Sequence, residues 1–199
     1  MNVRLTYDMA FTAGIWYDSK FMVNNYDLTL RLLTNTGESV EQNIALARVK
    51  YFVYDIIQHS VFVNASHADQ RKKLSAAGIR CTTLPEEPVD QIVGMALFLK
   101  LNSIMQDRMM LVELDISSDL GDNVVYCHSI QEPLGPLSDS GWWTESSPSH
   151  CDHATVNRNQ RVIAINPVLK WRDVDLDWPQ DDTPPDNDIV ITSFKREDK

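Results

Sequence analysis

The chain has 199 residues, enough for one domain, and its apolar content of 43% is enough for a hydrophobic core. The formal charge of −10 argues against general nucleic-acid binding, because that function needs a basic surface. No apolar run approaches the roughly 18 residues of a membrane span. The chain starts with alternating residues rather than a signal-peptide layout, and its three cysteines form no dense framework, so we expect a cytoplasmic protein.

The first third of the chain predicts a strand hairpin followed by a long helix. Alternating apolar residues over 2–12 and again over 26–32 predict two strands joined by a loop over 13–25. Apolar residues that recur every three or four positions then predict a helix over about 40–58. Ser39 is the expected N-cap, because Gln42 follows it at the spacing of a capping box. Residues 61–63 continue as a short apolar exit from this helix.

The second third predicts a further helix and a second hairpin. A short helix near 68–73 and a loop lead to Pro88, a suitable first residue for a helix that continues to about Met105. Alternation over 109–116 and 123–130 predicts two strands around a turn at Gly121. The order is therefore β-β-α-α-β-β. It predicts an α+β fold in which an antiparallel sheet carries two helices on one face.

The sequence pattern becomes irregular after residue 130. We therefore divide the chain into a core over 1–130 and an irregular C-terminal extension over 131–199, with short strands near 161–166 and 189–194. Residues 173–188 contain seven aspartates and no basic residue, so the formal charge of −10 leaves only −3 for the rest of the chain. Trp142, Trp143 and Trp171 are expected to pack the extension onto the core.

This order of elements resembles the tunnelling fold, in which ββααββ units assemble side by side into a barrel. Three stretches are similar to the 6-pyruvoyl- and 6-carboxy-tetrahydropterin synthases. Residues 57–64, IQHSVFVN, resemble the Leu-Asp-His-x-x-Leu-Asn end of that family's first helix, with one extra residue. Residues 88–92, PVDQI, resemble its Pro-Thr-x-Glu-Asn motif, and residues 124–126 resemble its last strand. The resemblance covers roughly residues 3–130 and implies a homo-oligomer that binds a small heterocycle.

The zinc site of that family has no counterpart in this sequence. The family binds zinc through a His after its first strand and a His-Gly-His pair entering its second. The corresponding stretches, 11–14 and 22–26, contain no histidine, and the first histidine of the chain is His59. The family's nucleophilic Cys is absent as well, and Gln58 stands where it has an Asp. Because zinc in such a site polarises an oxygen as a Lewis acid, we expect a zinc-independent protein with no metal and no cofactor.

Five residues are candidates for a site. His59, at a helix end, could act as a general acid or base, or could simply interact with the helix dipole. Asp90, Gln91, Glu113 and Asp115 are candidates for the group that grips a pterin- or guanine-like ring, since a carboxylate accepts two parallel N–H bonds. The alternative is a first-turn helix acid for Asp90 and solvent-facing strand positions for the others. Asp115 is the preferred anchor because it lies near the end of its strand.

Three functional hypotheses follow. The first is a divergent tunnelling-fold protein that binds a pterin- or purine-like small molecule at a subunit interface. The second is an active pterin-synthase-like enzyme with a relocated metal at His150, Cys151 and His153, since these residue types can bind zinc. The third is an acidic interaction protein that uses residues 173–188 to contact a basic protein partner.

Overall fold

A computed structural model describes residues 3–35, 38–151 and 169–179 of the chain. Six strands form one sheet, and two long helices cover one of its faces. The strands are β1 (Arg4–Tyr17), β2 (Lys20–Thr34), β3 (Val61–Asn64), β4 (Cys81–Leu84), β5 (Met109–Ser118) and β6 (Tyr126–Ser129). The helices are α1 (Ser39–Tyr51), which continues as a π-helix (Phe52–Ile57), α2 (Ala68–Ala76) and α3 (Asp90–Met105).

The first hairpin is longer than the sequence pattern predicts. Strands β1 and β2 pair in antiparallel fashion from Arg4 opposite Leu33 to Tyr17 opposite Lys20, so the loop predicted over 13–25 is wrong. Only two residues turn the chain, and both have positive φ angles, 47° at Asp18 and 60° at Ser19. Such a turn matches the twist of the strands that it joins. Glycine, alanine and asparagine in this stretch weaken the apolar alternation on which the prediction rested.

The sheet contains an insertion that the sequence reading missed. Its strand order is β4-β3-β1-β2-β5-β6, and the antiparallel hairpins β1-β2 and β5-β6 form its central and distal part. Between the two long helices, β3, α2 and β4 form a β-α-β unit whose strands run parallel to β1 and to each other. The predicted apolar exit over 61–63 is therefore a buried strand, and the predicted loop includes β4.

The first helical segment has the predicted extent but a different start and end. It begins at Ser39 with Glu38 as its N-cap residue, so the prediction of Ser39 as N-cap is wrong. Its last turns widen into the π-helix, and Gln58 leaves helical geometry with φ −55° and ψ 132°. His59 then adopts a left-handed conformation with φ 62°. The chain turns here because the His59 N–H donates to the Thr12 carbonyl at 2.8 Å, which starts the pairing of this segment with β1.

The core lies between the sheet and the helices α1 and α3. Alternate residues of β1, β2 and β5 are buried on this face, and Phe11 stacks on Tyr26 at 4.9 Å between ring centroids. Helix α3 packs closely on β5 because Gly94 faces that strand. A Cβ at Gly94 would lie 2.7 Å from Cγ2 of Ile116.

The described part of the C-terminal extension packs on the same helices. Trp142, Trp143 and Trp171 are all buried in the core, which confirms the role expected for them. Residues 161–166 and 189–194, where two strands were predicted, lie outside the described residues. Among the residues that the structure describes, none of the helices combines the length and apolarity needed to cross a membrane.

Candidate functional site

A pocket of about 370 Å³ opens where the start of α3 meets the ends of both hairpins. Pro88, Val89 and Asp90 supply one wall, in the stretch that carries the PVDQI resemblance. The other lining residues are mostly apolar or aromatic: Ile15, Tyr17, Met22, Asn24, Leu120, Gly121 and Tyr126. This size and this mixture of apolar walls with few polar groups are typical of small-molecule sites.

Asp90 is the one carboxylate among the lining residues of this pocket, and it is only 7% exposed. Its two oxygens lie 2.8 and 2.7 Å from the hydroxyl oxygen of Ser118. The Gly121 N–H donates to that hydroxyl oxygen at 3.2 Å, so the hydroxyl proton is directed toward the carboxylate. A single hydroxyl can satisfy one acceptor position, whereas a carboxylate has about four. Asp90 therefore retains acceptor capacity for a ligand.

Gly121 shapes the floor of the pocket. A Cβ at this position would lie 2.3 Å from Oδ2 of Asp90, so any larger residue would displace the carboxylate. Asn24 supports the same loop from β2, because its Oδ1 accepts a hydrogen bond of 3.0 Å from the Leu120 N–H. Behind it, burial raises the pKa of Tyr26, and the charge of Asp90 adds to that shift while the Asn24 side chain opposes it. The loop after β5 and the start of α3 therefore hold Asp90 in a fixed, largely dehydrated position.

Glu113 and Asp115 lie on the opposite face of β5, which carries no helix. Both form ion pairs with Arg31 of β2, at 2.6 Å from Glu113 and 2.8 Å from Asp115. Cys127 on β6 is opposite Asp115 in the strand register. Within the described residues, Glu113, Asp115 and Cys127 are the one group of at least three potential metal ligands whose donor atoms lie within 4.8 Å of one another.

The guanidinium of Arg31 determines the electrostatics of this cluster. Burial alone would raise the pKa of Asp115, but hydrogen bonds from Arg31 and Cys127 and the charge of Arg31 outweigh it, so the pKa is lowered. The hydrogen bond to Asp115 is the main cause of a raised pKa at Cys127. The arrangement therefore favours an ionised Asp115 carboxylate paired with Arg31 and a protonated thiol, rather than a metal-binding thiolate.

The other predicted site residues lie elsewhere. His59 is exposed, 3.3 Å from Gln58 through its Nε2 atom, and it does not line the Asp90 pocket. Gln91 is exposed on α3 and lines a separate pocket beside β6. The structure thus brings Glu113 and Asp115 together, and it places His59, Asp90 and Gln91 at different sites.

The alternative metal site falls partly outside the described residues. Cys151 and His150 are described, and His153 is not. Cys151 lies near Cys81, whose pKa is raised by burial and further by the charge of Cys151.

The described start of the acidic segment packs against the chain itself. The Trp178 ring lies 3.8 Å from the Arg48 guanidinium carbon and 4.8 Å from that of Arg108, and Asp177 lies 3.7 Å from Arg48. In this part of the segment, the same polypeptide supplies the basic groups with which the acidic stretch interacts.

Sequence reasoning missed the partners of Asp90. Ser118 is the last residue of β5 and Gly121 follows in the next loop, about 30 positions away from Asp90 in the chain. Gly121 is visible in the sequence, but its pattern predicts only a turn. Two features of the sequence could have indicated this site. One is a serine at the end of a predicted strand, and the other is an acid in the first turn of a predicted helix.

Comparisons with known proteins give similarities in structure only. No protein-family model matches the chain, and no curated protein matches it in sequence. The uncharacterized protein WS1659 from Wolinella succinogenes is similar with a TM-score of 0.51 and 9% identity, over 66% of this chain and 99% of that protein. The 6-pyruvoyl tetrahydropterin synthases of Plasmodium vivax and Plasmodium falciparum give TM-scores of 0.44 and 0.41, each at 12% identity, over 65% of this chain and 99% of theirs.

At these identities the likeness concerns the fold alone. The similarity to WS1659 and the observed order of elements confirm the predicted fold class, an α+β protein built on a ββααββ unit of the tunnelling-fold type.

Proposed function

We propose that this chain is a divergent, zinc-independent tunnelling-fold protein that binds a pterin- or purine-like small molecule, with Asp90 as the anchoring group. The observation that carries the proposal is the buried Asp90 carboxylate in a pocket of about 370 Å³. Among the described residues it has a hydroxyl partner but no cationic one. A buried carboxylate in that situation is stabilised by a ligand that donates N–H groups.

The shape of the anchor favours a ring with two adjacent N–H donors. The 2-amino group and neighbouring ring N–H of a pterin or a guanine lie side by side, and a carboxylate accepts both at once. Tyr17, Val89 and Tyr126 line the pocket and could cover the faces of a flat ring. A carboxylate discriminates sharply against an analogue with a carbonyl in place of the amino group, because two acceptors then face each other.

We further propose that the pocket lies at an interface between copies of the chain. Large apolar side chains are exposed around its mouth, namely Tyr17, Val89, Leu120, Val124, Val125 and Tyr126. They lie next to β6, the last strand of the sheet, whose outer edge has no partner strand among the described residues. A second copy would cover both the apolar surface and the strand edge. Native mass spectrometry of the purified chain tests this, and a monomer at micromolar concentration would contradict it.

The ligand proposal is tested by calorimetry with two matched pairs of probes. Pterin and guanine present the paired donors, whereas lumazine and xanthine carry a carbonyl in place of the 2-amino group. We expect the donor-bearing member of one pair to bind at least about a hundredfold more tightly than its partner. Asp90→Asn should weaken that binding by about 2–4 kcal/mol, because an amide offers one acceptor and one mismatched donor.

Asp115→Asn is the matched control, since it removes a carboxylate on the opposite face of β5. It should leave ligand affinity unchanged. If Asp115→Asn abolishes binding and Asp90→Asn does not, the anchor is the Arg31 cluster and the assignment to Asp90 is wrong. Equal affinities for pterin and lumazine would show that no carboxylate recognises the 2-amino group of the ligand.

A further inference from the structure

Ser118 occupies the side of the Asp90 carboxylate on which paired N–H donors would bind. Its Oγ lies 2.8 Å from Oδ1 and 2.7 Å from Oδ2 of Asp90. An atom at nearly equal distances from both oxygens lies on the plane that bisects the O–C–O angle. A position above the face of the carboxylate would make Oγ overlap with the carboxyl carbon, so Oγ lies at the open edge between the two oxygens. This is the edge at which a carboxylate accepts two parallel N–H bonds.

The Ser118 hydroxyl is held at this edge by its surroundings. Ser118 is the last residue of β5 and is 2% exposed. The Gly121 N–H donates to its Oγ at 3.2 Å, and the single proton of the hydroxyl is then left for the carboxylate. The observed contact between Ser118 and Asp90 and a paired contact between a ligand and Asp90 use the same edge, so they exclude each other.

Asp90 is the member of this pair that faces the pocket. It is among the lining residues of the pocket, whereas Ser118 is not. Asp90 is the first residue of α3, and a rotation of its side chain between staggered positions moves the carboxylate while the helix stays in place. Gly121 leaves space beside the carboxylate, because a Cβ there would lie 2.3 Å from Oδ2. The carboxylate therefore has a route from Ser118 into the pocket.

We propose that Ser118 is an internal competitor for the paired edge of Asp90, and that a heterocycle with two adjacent N–H donors binds only after the carboxylate has turned from Ser118 into the pocket. This competition rests on the function proposed above, because it requires Asp90 as the ligand anchor. Ser118 lowers the affinity of such a ligand, since the ligand must replace a hydrogen bond to a charged group and binds a less populated state. A ligand without paired donors is not subject to the competition.

Ser118→Ala removes the competitor, and calorimetry of the full chain compares it with the wild type. The probes are pterin and guanine, which carry the paired donors, and lumazine and xanthine, which do not. We expect the variant to bind pterin or guanine about tenfold or more tightly than the wild type does, with unchanged affinity for lumazine and xanthine. The Gly121 N–H also lies 3.2 Å from the main-chain carbonyl of residue 118, so it keeps an acceptor in the variant. A general loosening of the pocket would change the affinities for all four probes alike.

Ser117→Ala is the matched control. Ser117 precedes Ser118 in β5 and therefore lies on the opposite face of the strand, so its replacement should leave all four affinities unchanged. If Ser118→Ala binds pterin and guanine as tightly as the wild type or more weakly, Ser118 supports Asp90 rather than competing for it. The competition is then refuted, while Asp90 remains the anchor. If neither pterin nor guanine binds to either protein, the anchoring function itself fails, and the competition fails with it.

Discussion

Lys100 holds the C-terminal extension on the helix layer, and its replacement tests that role. The side chain is fully buried, and its ammonium donates to the carbonyls of Trp142, Glu145 and Ser147 at 2.8, 2.8 and 2.7 Å. Lys100→Met keeps the approximate volume and removes all three donors. The Trp142 carbonyl still accepts from the Glu145 N–H at 3.3 Å, so the loss falls mainly on the carbonyls of Glu145 and Ser147.

The cost follows from these contacts. An unsatisfied buried carbonyl costs roughly 1–3 kcal/mol, and removing a buried ammonium returns part of that cost. We therefore expect Lys100→Met to lower the free energy of unfolding by about 3 kcal/mol at pH 9, where the buried amine is neutral. Lys72→Met, at an exposed position on α2, is the matched control and should change it by less than about 0.5 kcal/mol.

The pH dependence gives a sharper test. Burial lowers the pKa of Lys100 from 10.5 to about 7, and the charge of Glu145 opposes that shift. Between these two values the unfolded chain binds the proton more tightly than the folded chain. The contribution of Lys100 is therefore fully present above the unfolded pKa and is lost as the pH falls toward 7. Relative to the methionine variant, the wild type should gain roughly 2 kcal/mol between pH 7 and pH 9.

Urea unfolding at pH 6, 7, 8 and 9, followed by tryptophan fluorescence, measures the difference between the two proteins. Subtracting the variant cancels the titration of all other groups. The three carbonyl acceptors match the three N–H groups of a protonated lysine, and they act against the effect of burial. A stability difference that stays constant from pH 7 to pH 9 would show that the carbonyl hydrogen bonds outweigh burial in determining the pKa of Lys100. The argument from burial would then be refuted.

Two further predictions concern the sheet. Asp115 has a lowered pKa in the folded chain, so its contribution to stability is present above its unfolded pKa and is lost as the pH falls through the folded value. Arg31→Met should raise the Asp115 pKa measured by carbon NMR with little effect on the free energy of unfolding, because Arg31 is 41% exposed; an unchanged pKa would contradict the pairing. Gly94→Ala should destabilise the chain by about 1–3 kcal/mol in urea unfolding, since its Cβ would lie 2.7 Å from Ile116. The alanine gains about 1 kcal/mol of helix propensity, so a stabilised variant would show that α3 can move away from β5.

The order of the main elements could be predicted from the sequence because local patterns determine it. The helix over 40–58 and the helix ending at Met105 each have a clear apolar period, and both are present at nearly those bounds. The strands β3 and β4 could not be predicted in this way. Each has four residues, too few to establish a period, and each is stabilised by parallel pairing with a distant segment.

The candidate site depends on packing that no local pattern reports. Sequence reasoning includes Asp90 among the candidate anchors, but it prefers Asp115. Both are acids near the end of an element, and only the three-dimensional arrangement distinguishes them. Asp115 pairs with Arg31 on the helix-free face, whereas Asp90 meets Ser118 in the interior.

The extension also limits how copies of this chain could pair through their strand edges. The carbonyls of Arg80 and Leu84 accept from Val61 and Ala65, so the alternate residue Thr83 points its carbonyl outward from β4. That carbonyl accepts a hydrogen bond of 2.6 Å from Nε1 of Trp142. A ring of copies needs two complementary edges on every subunit. We propose that this contact with Trp142 hinders pairing along β4 and that copies pair through β6, where β6 against β6 closes a two-fold dimer rather than a larger ring.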